Sequence, residues 1–212
     1  AANYEQPNSY PAPDMETGYS VPAGAVDAIK IELWEDTAAP LGSVTDADAL
    51  RDTAWAWLMN DGTVREFYRG NENYVRFKSA VGGCASAATG NYHAVVRHRN
   101  HLPLVAAAVT YDGSNTGTVN LSQAGNLLDS NDAAEPETNV YALISGNISQ
   151  QDFGGDKNGI NAVDFFMVRN KAENNPNNLY DPSDTDFSDS VESFDYTTIQ
   201  SRFDQLRSVI AP

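Results

Sequence analysis

The stretch SDTDFSDSVESFD, residues 183 to 195, sets oxygen-bearing side chains at Asp184, Asp186, Ser188, Ser190, Glu192 and Asp195. That spacing suits a tightly coiled loop whose alternate residues point inward at one hard cation. Loops of the EF-hand type draw ligands from positions 1, 3, 5, 7, 9 and 12, the last in the first turn of the exiting helix. Counting Asp184 as position 1 places Asp186 at 3, Ser188 at 5, the Ser190 carbonyl at 7, Glu192 at 9 and Asp195 at 12. Val191 falls at position 8, where such a loop carries an apolar residue that pairs with its twin. Position 6 is Asp189, where glycine is usual, and Asp enters the left-handed turn at some cost. The same residues also suit a metal-free acidic loop capping a helix, because Asp and Ser are strong N-caps.

A shorter relative of this loop precedes it. GDKNGINAVDFFMVRN holds Asp156, Asn158, Asn161 and Asp164 ahead of a helical pattern, roughly three residues short of a full loop. It either holds a cation with water completing the shell or uses Asp156 and Asp164 as a turn and an N-cap. Calcium is the cation that all-oxygen sets of this kind take.

The elements that would position these loops are two short helices at the end of the chain. Their apolar stripes are Val163, Phe166 and Met167 in one, and Tyr196, Ile199, Phe203 and Leu206 in the other. Ahead of them, VDAIKIELWED alternates as a strand, and ADALRDTAWAWLM reads as a short helix or a strand. Asn60-Asp61-Gly62 is a hairpin signal. TVREFY, YVRFKSAV, NYHAVVRHR, LVAAAVTY and GTVNLS follow as β-prone runs between Gly, Asn and Pro, the rhythm of an antiparallel sandwich. Residues 1–25, with Pro7, Pro11, Pro13 and Pro22, form an extended arm, disordered or packed through Tyr4, Tyr10 and Tyr19 on a neighbour's open sheet edge. The expected division is the arm at 1–25, a β-sandwich at 26–122, a connection with a possible last strand at 123–145, and a calcium-binding module at 146–212. The fold class is therefore mainly β, an antiparallel sandwich with a small helical EF-hand-like module.

Composition narrows the partners. With 29 acidic against 13 basic residues and a formal charge of −16, the 212-residue chain repels phosphate backbones, so no nucleic-acid partner is expected. No run approaches the ~20 apolar residues that span a bilayer. A start on small residues without Met predicts export after removal of a leader peptide.

Two passages also carry a resemblance. GDKNG-INAVD with Val168-Arg169-Asn170, and SDTDFSDSVESFD with Ser201-Arg202, resemble the paired repeats of type I dockerins. VDAIKIELWED and GNYHAVVRHRNHLPLVAA are similar to segments that precede such repeats in secreted surface proteins of Bacteroidota. The resemblance covers residues 26 to 206. It implies an exported protein whose transthyretin-like or collagen-adhesin-like sandwich joins a calcium-binding helical module, with no catalysis. The insertion KAENNPNNLYDPSD and the shortened first loop depart from the pattern, so no cohesin partner is carried over.

Other chemistry-bearing residues point to structure. In HAVVRHRNH, His93 and His101 share strand parity and His98 opposes them, so no zinc pair forms. With Arg97 and Arg99 they make a basic spot at the sheet surface that can meet an acidic face of a second copy. Cys84 in GGCASA lacks a nucleophile motif and reads as a structural thiol. The sequence thus predicts no enzyme. It predicts a secreted, calcium-stabilised structural protein at the cell surface, a homo-oligomer or polymer forming a fibre, layer or adhesive appendage. The alternative is a non-catalytic module of a larger hydrolase or adhesin, meeting a glycan or host-surface ligand through Trp34, Trp55, Trp57 and Tyr68.

Overall fold

A computed structural model describes residues 21–36, 50–67, 73, 75, 77, 90–98, 100–111, 118–146, 159, 160, 162–174, 183, 185 and 191–204. The chain is mainly β, with antiparallel sheets and two helices. It divides into two units: residues 12–98, 104–142 and 210–212 in one, residues 1–11, 99–103 and 143–209 in the other.

The first unit is built on a six-stranded sheet. Strands β1 (Ala25–Glu35), β2 (Leu50–Met59), β3 (Val64–Glu66), β4 (Gly90–Arg97), β5 (Leu104–Val105) and β6 (Val109–Tyr111) follow in chain order. In space they run β3-β2-β1-β4-β5, with β6 also on β4. β1 takes the centre because its alternation buries both of its faces. On one face Ile29 and Ile31 pack with Ala56 and Val96. On the other, Ala28 packs with Trp57, Met59 and Phe67. The stretch read as helix or strand is β2: Trp55, Trp57 and Met59 share the Ala28 face, an arrangement of period two that a helix cannot give. Trp57 stacks on Phe67 with ring centroids 4.6 Å apart, a pairing that contributes about 1 kcal/mol beyond its buried area.

The hairpin expected at Asp61-Gly62 joins β2 to β3. Gly62 takes φ +79°, and Asp61 accepts hydrogen bonds from both the amide and the hydroxyl of Thr63. LVAAAVTY is two strands, because β5 pairs with Val95 and Val96 while β6 pairs with Gly90 to Tyr92. The described part of GTVNLS is no strand. Asn120 folds it into a turn, its side chain accepting from the amide and hydroxyl of Ser122. The expected connection contains a hairpin of β7 (Ala134–Glu137) and β8 (Val140–Ala142), turned by Asn139 at φ 63°.

The second unit holds α1 (Ala162–Asn174) and α2 (Ser193–Asp204), the two helices read from the sequence. The buried stripe of α1 differs from the expected one, while in α2 the expected Ile199 is buried together with Asp195. Phe166 and Met167 are exposed, whereas Asp164 and Val168 in α1, and Asp195 and Ile199 in α2, are buried. Beside them, Asn100 to Leu102 run antiparallel to Ile144 to Gly146, through Leu102 N–H to the Ile144 carbonyl and Gly146 N–H to the Asn100 carbonyl. Among the described residues no helix is long and apolar enough to cross a membrane.

Candidate functional site

The two helices repeat one another. Ile160, Asp164 and Val168 each lie 31 positions before Val191, Asp195 and Ile199, and all six are buried. In each triplet the acid is the third residue of its helix, with an apolar partner one turn before and one turn after. The apolar pair around each acid shields it from water, and the helix N-terminus favours the negative charge. Phe165 and Tyr196, likewise 31 apart, bring their rings to 4.8 Å.

Asp195 shows how such a carboxylate is satisfied. One oxygen, Oδ1, accepts from the Thr185 amide at 2.5 Å and the Thr185 hydroxyl at 2.9 Å. The other, Oδ2, accepts from the Glu192 amide at 2.9 Å. This last bond is half of a capping box, with Glu192 at the N-cap and Asp195 at the third helical position. The Thr185 bonds close the loop across ten residues. A carboxylate offers about four acceptor directions. Three are taken, so Asp195 fits a cation through one direction on Oδ2 and not as a two-oxygen ligand.

Of the sequence-predicted ligands, Asp164 and Asp195 are buried in corresponding places and Glu192 is exposed at the start of α2. Asp184, Asp186, Ser188, Ser190, Asp156, Asn158 and Asn161 lie outside the described residues, as do Cys84 and Tyr68. Among the described residues no three His, Cys, Asp or Glu side chains converge as a metal site. Thr185 was not foreseen as a partner of Asp195, since as position 2 of the loop it carries no ligand role.

A second polar cluster sits in the sheet. Glu32, its side chain 6% exposed, holds Lys30 Nζ at 2.5 Å and Arg97 Nε at 2.9 Å. The Trp34 indole N–H donates to the same carboxylate at 3.1 Å. Period two explains the grouping: Lys30, Glu32 and Trp34 share one face of β1, and Arg97 stands opposite Lys30 on β4. Burial pushes the Glu32 carboxyl up, but the charges and hydrogen bonds of Arg97 and Lys30 outweigh it and hold the group below the ordinary Glu value.

Asp27 and His98 form a further buried pair, Nε2 to Oδ2 at 2.9 Å, with the Ala28 amide on the other oxygen at 2.7 Å. Because Asp36 and every second residue before it send their amides toward β4, Asp27 takes the Ala28 N–H where β4 has ended. His93 donates through Nδ1 to the Ala106 carbonyl at 2.9 Å, and its Nε2 lies 3.5 Å from Asp36. The expected basic surface spot is thus corrected: His93 and His98 are buried, Arg97 is half-buried, and all three are paired inside the unit, with Glu32 and Asp27 of β1 and the Ala106 carbonyl just after β5. Trp34 and Trp57 are buried as well, and Trp55 is half-buried on the same cluster.

Compared with known protein families, with curated proteins and with solved structures, the chain matches none of them.

Proposed function

We propose that the protein is a secreted, calcium-stabilised and non-catalytic structural subunit of an extracellular fibre, layer or adhesive appendage. In this reading a sandwich-type β body carries an EF-hand-like, dockerin-like helical module, and the N-terminal arm contacts a neighbouring copy. One observation carries it: the 31-residue recurrence of two helices, each with a buried first-turn Asp between apolar residues. Loop pairs that share one cation chemistry are built this way, the twelfth position lying in the exiting helix. Burial of both faces of β1 supports a layered body.

From 181 to 195 there are six acids and no Lys or Arg. Calcium supplies the missing positive charge there. Asp195 would hold it through Oδ2, with Glu192, the Ser190 carbonyl, Ser188, Asp186 and Asp184. Asp156, Asn158, Asn161 and Asp164 would serve the first loop. Since the acids repel one another without an ion, binding and ordering of the loop are linked.

Calorimetric titration of calcium into metal-free protein, together with melting in calcium and in chelator, tests this reading. Heat of binding and a higher melting temperature in calcium are expected. No heat and unchanged melting would overturn the calcium module. Electron microscopy and sizing test the assembly. Polymers are expected, and a monomer that is retained on a glycan column would instead favour a binding module.

A further inference from the structure

We infer that residues 14–21 of one copy add as a strand to the outer edge of β2 in a second copy, alongside residues 51–55. The inference rests on the assembly reading and names the contact that would build it.

The edge is defined by where β3 stops. β2 runs for ten residues, yet β3 pairs with only Ala56, Trp57 and Leu58. The last described residue of that run is Phe67, whose ring stacks on Trp57 and whose carbonyl accepts the Trp57 indole N–H at 3.0 Å. Beyond that point no other strand lies along β2 among the described residues. Amides alternate in direction along a strand. The Met59 amide reaches the Thr63 carbonyl on the β3 side, so the Thr53 amide points to the same side. It is met there by the carboxylate of its own neighbour Asp52, at 2.7 Å. A side chain one residue away stands where a ladder partner belongs. On β3, the buried Arg65 Nε and Glu66 Oε2 have no hydrogen-bond partner among the described residues.

The donor is legible in the arm. Between Pro13 and Pro22, DMETGYSV alternates Met15, Thr17, Tyr19 and Val21 with Asp14, Glu16, Gly18 and Ser20. This is the period of a half-buried strand, bounded by residues that cannot donate to a ladder. Its apolar side would lie beside Trp55 and extend the cluster of Trp57, Met59 and Phe67. Eight residues cover about 26 Å, enough for the open stretch of β2. The donor comes from a second copy because of where the arm leaves its own sheet. Ala25 pairs with Met59, and the Asn60 amide binds the Gly24 carbonyl. In its own chain the segment would therefore run alongside the positions that β3 occupies.

Full-length chains in a Cys84→Ser background test the contact. One carries a cysteine at Met15, Thr17 or Tyr19 in turn, the other carries Thr53→Cys, and the mixture is oxidised with copper phenanthroline. A disulfide-linked mixed dimer is expected, together with loss of polymers on Tyr19→Pro. Polymers without a mixed dimer, or polymers that survive Tyr19→Pro, would overturn the inference and leave the assembly reading standing. A chain carrying both cysteines that links only to itself would also overturn it. Absence of both polymers and mixed dimer would remove the two together.

Discussion

The sheet and the helix pair both bury carboxylates, and they satisfy them with opposite kinds of partner. Glu32 is met by the ammonium of Lys30 on its own strand and the guanidinium of Arg97 on β4, and Asp27 by the imidazole of His98 just past β4. Asp195 is met by two amides and a hydroxyl from its own loop. The cationic partners of Glu32 bring charge balance with them, so that carboxylate needs no ion from solution. Neutral donors satisfy hydrogen bonding but leave the negative charge, and the five other acids between 181 and 195 add to it. Under the proposed reading, the difference gives one unit salt-insensitive rigidity and makes the other depend on a cation.

The largest effect that can break this contrast is Glu32→Ala. It takes the shared carboxylate away from Arg97 and Lys30 on a buried face, which costs about 3–5 kcal/mol. Denaturant melting should show that loss equally in calcium and in chelator. A loss that depends on calcium would erase the distinction between the units. Next is Asp195→Asn, which keeps one acceptor oxygen and removes the charge. It should cost roughly 2 kcal/mol in hydrogen bonds to a charged group. It should also abolish the calcium increment, which for the unaltered chain at a hundredfold excess over Kd amounts to about 2.7 kcal/mol. A calcium increment retained in Asp195→Asn would show that the carboxylate closes the loop without serving the ion.

Much of the fold was legible because it rests on local rules. β1 and the Asp61-Gly62 hairpin follow from alternation and turn chemistry, and both helices follow from spacing. The failures share a cause. Apolar counting chose Phe166 and Met167 for the buried face of α1, yet the helix turns Asp164 and Val168 inward. A buried acid is invisible to a scale that scores it as solvent-facing. Likewise Arg97, His93 and His98 read as a surface patch because Glu32, Asp27 and the Ala106 carbonyl lie too far off in sequence to be foreseen as partners. Of the site, the place of Asp195 at the helix start could be read, and its closure onto Thr185 could not.

Gly146 gives a smaller and more local effect. It sits at φ +122°, and a Cβ there would meet Ile160 Cδ1 at 3.0 Å and Ile199 Cγ1 at 3.6 Å. Both isoleucines belong to the buried triplets, so Gly146→Ala strains the backbone and pushes on both repeats at once. A cost of about 1–3 kcal/mol is expected from the backbone conformation. It should appear in the melting of the helical unit, with the near-ultraviolet signal of the sheet tryptophans unchanged. Simultaneous loss of the tryptophan signal would mean that the two units melt as one.

Acid provides the finest test of the contrast, since among the described residues the sheet holds a carboxyl, Glu32, whose titration is displaced by cations. Glu32 lies below its ordinary value of 4.5 in the folded chain. A carboxyl that binds protons more weakly when folded contributes its stabilisation fully above the unfolded value, and loses it as pH falls through the folded one. The melting-temperature gap between the unaltered chain and Glu32→Gln should therefore hold steady at neutral pH and narrow below about 4.5. The two chains differ only in that carboxyl, so the narrowing reports Glu32. If the gap persists undiminished well into acid, the Gln variant is losing shape and not charge, and the sheet cluster would then be a hydrogen-bonded anchor whose charge is incidental.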